Sequence, residues 1–160
     1  NTRHIEVYEI NVATDGRQTW TQRFANQTSV GDGTFERMEH PELLALGGEL
    51  WLAFVAHDED DGATVVTTAS LDGGSTWLDE AALDTTGLVL GHAGVAWLDD
   101  GRLAWTRLID EQVHLCMAAP GDDPSCGALD GVAVGDLDTD VDTVLVSVRD
   151  AAGVWAVHEQ

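Results

Sequence analysis

Two segments of this chain carry one eight-residue pattern. A repeat with a period in the tens of residues constrains a fold more than any single motif does. Ser70-Leu71-Asp72-Gly73-Gly74-Ser75-Thr76-Trp77 fits Ser-x-Asp-x-Gly-x-Thr-Trp at every specified position. Ala13-Thr14-Asp15-Gly16-Arg17-Gln18-Thr19-Trp20 fits it at Asp15, Thr19 and Trp20. The turn from Gly121 to Cys126 reads as a worn third copy. Between the copies the apolar segments are short. Residues 50–55, 103–105 and 144–148 are apolar runs bounded by Gly, Asp and Pro clusters, the pattern of many short strands joined by turns. Residues 44–54 and 95–105 each read as strand, glycine turn, strand, and residues 132–134, 143–148 and 153–157 as a last set of three strands. The nearest approach to a helix, Asp79 to Leu83, is too short to nucleate alone.

The complete copy has a physical reading. A short acidic side chain such as Asp72 accepts hydrogen bonds from turn amides. Gly74 permits a positive φ. Trp77 brings a large ring that fixes the turn to a sheet.

Four strands per unit of roughly 50 residues is the spacing of propeller blades. On these residues the chain resembles the Asp-box, or bacterial neuraminidase repeat, found in sialidases and in non-enzymatic propellers. The resemblance implies an all-β fold with blades of four antiparallel strands. It assigns Asp15, Thr19, Trp20, Ser70, Asp72, Gly74, Thr76 and Trp77 to structural hairpins between the third and fourth strands of a blade. The implied units are 1–36 (partial), 37–91, 92–130 and 131–160 (partial), about three repeats within one propeller region. A propeller closes with four blades or more. The partial set therefore predicts either a longer chain or self-association, two copies closing one ring.

Charge narrows the partners. The chain has 29 acidic residues against 7 basic ones, all arginine, for a net charge of −22. Such a surface repels nucleic acid, because phosphate binding needs clustered Lys and Arg. No run of about 18 apolar residues is present to enter a membrane. Neutral sugars, basic proteins and cations remain as ligands, and an acidic surface also suits a saline habitat. The chain starts at Asn1 with no charged-then-apolar leader, so it reads as a mature form, a trimmed form or an internal piece. Cys116 and Cys126 flank a polar Pro/Gly/Asp stretch, which predicts a disulfide across a hairpin and with it a secreted protein. Asn26-Gln27-Thr28 is a glycosylation sequon.

In the resembled family the active face lies opposite the Asp-boxes. Its expected residues here are Arg37, Glu39 and His40; His57 to Asp61; His92; Arg107, Asp110 and Glu111; and Arg149 and Asp150. We expect ligand binding from Arg37, His40, His57, His92, Arg107 and Arg149. Glu39, Asp58 and Asp110 are the candidates for a carboxylate pair in a glycoside hydrolase. Met38-Glu39-His40-Pro41 resembles the Phe/Tyr-Arg-Ile-Pro segment of sialidases, with Glu39 standing where the carboxylate-binding arginine belongs. The one tyrosine, Tyr8, lies too early to be the nucleophile. These departures point to a non-catalytic module that binds a carbohydrate or protein, with a hydrolase or a purely structural surface module as alternatives. Asp136, Asp138, Asp140 and Asp142 resemble the Asp-x-Asp-x-Asp calcium loops of integrin-type propellers, with Val141 where glycine is expected. No other cofactor is implied.

Overall fold

The computed structural model describes residues 5–25, 29–30, 33–60, 62–84, 88–89, 94–140 and 143–159. Sixteen strands lie within them: β1 (Glu6–Val12), β2 (Gln18–Ala25), β3 (Ser29–Val30), β4 (Gly33–Thr34), β5 (Arg37–Leu46), β6 (Glu49–His57), β7 (Ala63–Ser70), β8 (Ala81–Asp84), β9 (Leu88–Val89), β10 (Val95–Trp97), β11 (Leu103–Ile109), β12 (Gln112–Ala118), β13 (Ser125–Ala128), β14 (Ala133–Asp140), β15 (Thr143–Arg149) and β16 (Trp155–Glu159). The described residues contain no helix, and the strand Ala81–Asp84 overlaps the one helix candidate, Asp79 to Leu83.

Among the described residues every pairing is antiparallel between chain neighbours, except that the short β9 pairs antiparallel with β11. The strands form a hairpin β1-β2, a small pair β3-β4, a sheet β5-β6-β7-β8, a sheet β10-β11-β12-β13 and a sheet β14-β15-β16. Short alternating segments with glycine turns give this meander directly, because antiparallel neighbours need only a few residues to reverse.

Alternation along each strand then stacks the sheets in chain order. Leu52, Phe54, Ala56 and Val66 point from the β5–β8 sheet towards Ile5 and Phe24 at the base of the first hairpin. Ala53, Val55 and Val65, on the opposite face, meet Val95, Trp97, Leu103 and Trp105 of the β10–β13 sheet. Ala96, Leu98, Ala104, Val113 and Leu115 then meet Val144, Val146 and Val148 of the β14–β16 sheet. The two middle sheets thus bury both faces, which explains why β6 and β11 read as continuous apolar runs. Trp105 and Phe54 are fully buried, each worth about 2–3 kcal/mol of burial.

The first strands of the three sheets lie side by side. The indole Nε1 of Trp97 on β10 donates to the Glu42 carbonyl on β5 at 3.2 Å. Thr139 Oγ1 on β14 donates to the Trp97 carbonyl at 3.0 Å. The Glu42 carboxyl is pushed up, first by burial and then by the Asp138 carboxylate, with His40 opposing. β10 therefore lies between β5 and β14.

Candidate functional site

The sheets have two distinct ends. At one end lie the turn 47–48, the loop 71–77 and the turn 98–102. A Cβ on Gly73 would stand 3.9 Å from the Gly48 carbonyl, and one on Gly101 3.3 Å from Leu46 Cδ2. At the other end lie the start of β5, the turn 58–62, the tight turn Asp110-Glu111 and the turn 150–154.

At the first end, loop 71–77 joins the third and fourth strands of its sheet. Its hydrogen bonds close on Asp72. Oδ1 accepts from Ser70 Oγ and from the Thr76 amide, both at 2.8 Å, and Oδ2 accepts from Thr76 Oγ1 at 2.8 Å. Ser70 Oγ in turn accepts from the Gly74 amide at 2.7 Å. These donors, led by the Thr76 amide, hold the Asp72 carboxyl at about 2. Gly74 has φ +94°, with Leu50 pressed against it. Trp77 packs on Phe24 at 5.1 Å between ring centroids.

The segment 13–20 is built differently. It is a tight hairpin turn between β1 and β2, with the Ala13 amide donating to the Arg17 carbonyl at 2.8 Å. Asp15 accepts from the Arg17 amide and Nε at 3.1 and 2.7 Å, not from Thr19, which pairs across with Asn11. Trp20 is exposed. Asp100-Gly101-Arg102 repeats this arrangement, with the same two bonds from Arg102 at 3.0 and 2.7 Å. The shared Asp-Gly-Arg letters were the signal for that turn.

In the β10–β13 sheet residues 121–124 of the segment 121–126 lie in the connection between β12 and β13, and Ser125 and Cys126 belong to β13. There Cys116 and Cys126 face each other across the pair and form a disulfide.

The opposite end carries the polar residues. Arg37 and His57 are register partners at the edge of the β5–β6 pair. The Glu39 carboxylate lies between them, Oε1 at 3.4 Å from Arg37 Nε and Oε2 at 3.9 Å from His57 Nε2. His57 is buried, and Arg37 and Glu39 are half-buried. Alternation puts these three on the face turned towards the next sheet, in line with Val55 and Ala53. Arg107 and His114, register partners on that next sheet, lie in line with Trp105 and Cys116 on the face turned back. His40 sits at a β-bulge with φ +52°, its ring beside Gly94.

Other candidates at this end are committed to turns. Asp58 Oδ1 accepts from the amides of Asp60 and Gly62 at 3.0 and 2.8 Å. Asp150 Oδ1 does the same for Ala152 and Val154 at 2.9 and 2.8 Å. Asp110 and Glu111 both take positive φ in their two-residue turn. Arg149 lies over the Trp155 ring at 5.6 Å. His92, Asp61 and Asp142 lie outside the described residues, as does the sequon 26–28.

Asp136, Asp138 and Asp140 lie in strand β14, not in a loop. Asp136 and Asp138 each accept from the next residue's amide, at 3.0 and 2.8 Å. Among the described residues no group of three or more His, Cys, Asp or Glu is arranged to hold a metal ion. The described residues also contain no helix long and apolar enough to cross a membrane.

No protein family matches the sequence, and the comparison with curated proteins finds no match.

Proposed function

We propose that this chain is part of an Asp-box β-propeller, secreted and non-catalytic, that binds a carbohydrate or protein ligand at the end of its sheets opposite the Asp72 turn. The propeller reading is supported by antiparallel meanders of three and four strands stacked face to face, with their first strands side by side. The Asp-box reading is supported by the Ser70–Asp72–Thr76 hydrogen bonds between third and fourth strands. The disulfide fits an oxidising compartment.

One observation carries the ligand reading. Arg37, Glu39 and His57 share one sheet face, and Arg107 and His114 occupy the facing one. Clustered guanidinium, imidazole and carboxylate groups between two sheets offer both donors and acceptors to a polyol or a peptide. Catalysis finds less support. Asp58 is held by its own turn amides, and Asp110 belongs to a strained two-residue turn. The test is a glycan array probed with the wild-type chain and with Glu39→Gln, alongside hydrolysis of aryl glycosides. Saturable binding weakened by Glu39→Gln, without hydrolysis, is expected. Hydrolysis abolished by that substitution would replace the binding module with an enzyme.

A further inference from the structure

We infer that a cleft at the Asp72 end, between the β5–β8 sheet and the β12–β13 connection, is a second binding site, and that it takes an arginine side chain of a basic partner protein. The inference rests neither on the Glu39 group nor on the propeller reading.

The cleft measures about 280 Å³. Trp51 and Thr67 line it from the face of the β5–β8 sheet that turns towards the next sheet, in line with Ala53. Leu78, Asp79 and Ala81 line it from the entry to β8, and Pro120 from the β12–β13 connection. The entry to β8 is bulged. The Leu78 amide donates to the Ala69 carbonyl at 2.8 Å and Ala81 pairs with Thr67, so three steps along one strand oppose two along the other. A bulge of this kind re-aims a side chain out of the ladder, and Asp79 is in it. Trp51 is half-buried, and its indole Nε1 donates to Glu49 Oε2 at 3.2 Å, which holds the ring in place.

This lining selects a cation. Asp79 is exposed, and among the described residues its carboxylate takes no hydrogen bond or ion pair. Asp15, Asp58, Asp72, Asp100 and Asp150 commit theirs to their own turns. No described residue lining the cleft is basic. A planar guanidinium stacks on an indole and meets a carboxylate through two parallel hydrogen bonds. Its alkyl stem lies along apolar surface such as Leu78 and Pro120. A compact, strongly hydrated ammonium gains less from the same walls. The partner is a protein segment and not a free amine, because the complementarity extends past the cleft. The exposed Asp122 and Asp123 follow Gly121 on the far wall, in a chain of net charge −22 that steers a basic segment towards it.

The experiment titrates the whole chain with an alternating arginine-glycine peptide, with its lysine counterpart and with its citrulline counterpart, which keeps the shape and loses the charge. Calorimetry gives the affinity, and the indole N–H resonance of Trp51, assigned by its absence in Trp51→Leu, reports the place. Saturable binding of the arginine peptide that moves this resonance is expected, with weaker binding of the lysine peptide and none of the citrulline peptide. Asp79→Asn and Trp51→Leu, each checked for folding by circular dichroism, are each expected to weaken it about tenfold. Asp79 is exposed, so Asp79→Asn tests the site even where Trp51→Leu unfolds. Asp130→Asn removes an exposed acid at the other end of the sheets, beside Leu129, whose amide bonds the Val113 carbonyl. It is expected to change affinity less than about twofold, as a distant screened charge does. Equal weakening by Asp130→Asn and Asp79→Asn would mean diffuse attraction to an acidic surface and overturns the site. So does binding that leaves the Trp51 resonance in place, or no binding at all. A lysine or citrulline peptide that binds as tightly as the arginine peptide overturns the guanidinium assignment.

Discussion

Segments 13–20 and 70–77 share Asp, Thr and Trp at the same spacing, yet they fold into different turns. In the second, the Asp72 carboxylate reaches forward to Thr76 and back to Ser70. In the first, Asp15 stops at Arg17, and the chain reverses within five residues. Two substitutions account for the difference. Ser70, whose hydroxyl links Asp72 to the Gly74 amide, is Ala13 in the first segment. Gly74, at φ +94°, is Arg17, for which that backbone conformation is strained. The positions that match carry the hydrogen-bonding groups. The positions that differ decide whether the backbone can present those groups to each other.

The largest test of that contrast is at the tryptophans. Trp77→Ala, at a half-buried ring stacked on Phe24, is expected to cost about 3 kcal/mol. That is a fall in Tm of roughly 6–12 °C for a chain of this size. Trp20→Ala, at an exposed ring, should change the monomer's thermal stability by less than about 0.5 kcal/mol. Equal losses from the two would mean that 13–20 is also a sheet-anchoring turn.

The β10–β13 sheet sharpens the comparison, because a covalent bond joins its third and fourth strands where the neighbouring sheet has the Asp72 turn. Closing a loop of sequence separation 10 is worth about 2–3 kcal/mol. Calorimetry with and without dithiothreitol should show that loss, and the Cys116→Ser, Cys126→Ser double variant should show it without reductant.

Ser70→Ala removes a buried hydroxyl that bonds both the carboxylate and the glycine amide. A loss of about 1–2 kcal/mol is expected in urea unfolding. The reverse change, Ala13→Ser, should have no stabilising effect while Arg17 remains.

The smallest effect is in pH. Asp72 has its carboxyl lowered from 3.8 to about 2 in the folded chain. The folded state therefore binds that proton less readily than the unfolded one. Its contribution is complete above pH 4 and is lost as the pH falls from 4 towards 2. Asp72→Asn should flatten the stability profile across that window and leave it parallel to wild type above it.

Much of the fold was legible. Strand-length apolar runs between glycine turns gave the sheets and their order, and the polar Pro/Gly/Asp stretch between Cys116 and Cys126 gave the disulfide. The candidate site was legible only in part. Which end of the sheets each loop occupies followed from strand order, and Arg37, Glu39, His57 and Arg107 do lie at one end. The commitment of Asp58 and Asp150 to their own turns was not legible, because an Asp that caps a turn and an Asp that meets a ligand have the same letters around them. His114 was missed because it lies inside an apolar strand, where only the register with Arg107 shows its side of the sheet. The acids at 136–140 alternate as strand residues do, and they lie in strand β14.

The central claim is a division of labour, an anchoring end at Asp72 and a binding end at Glu39. Binding to the same glycan array, measured for wild type, Ser70→Ala and Glu39→Gln with the Tm of each, tests it directly. The account predicts that Ser70→Ala lowers Tm and keeps the binding profile of the folded protein, while Glu39→Gln keeps Tm within a few degrees and loses binding. Loss of binding in Ser70→Ala at temperatures where it is fully folded, with Glu39→Gln binding as wild type, would contradict it.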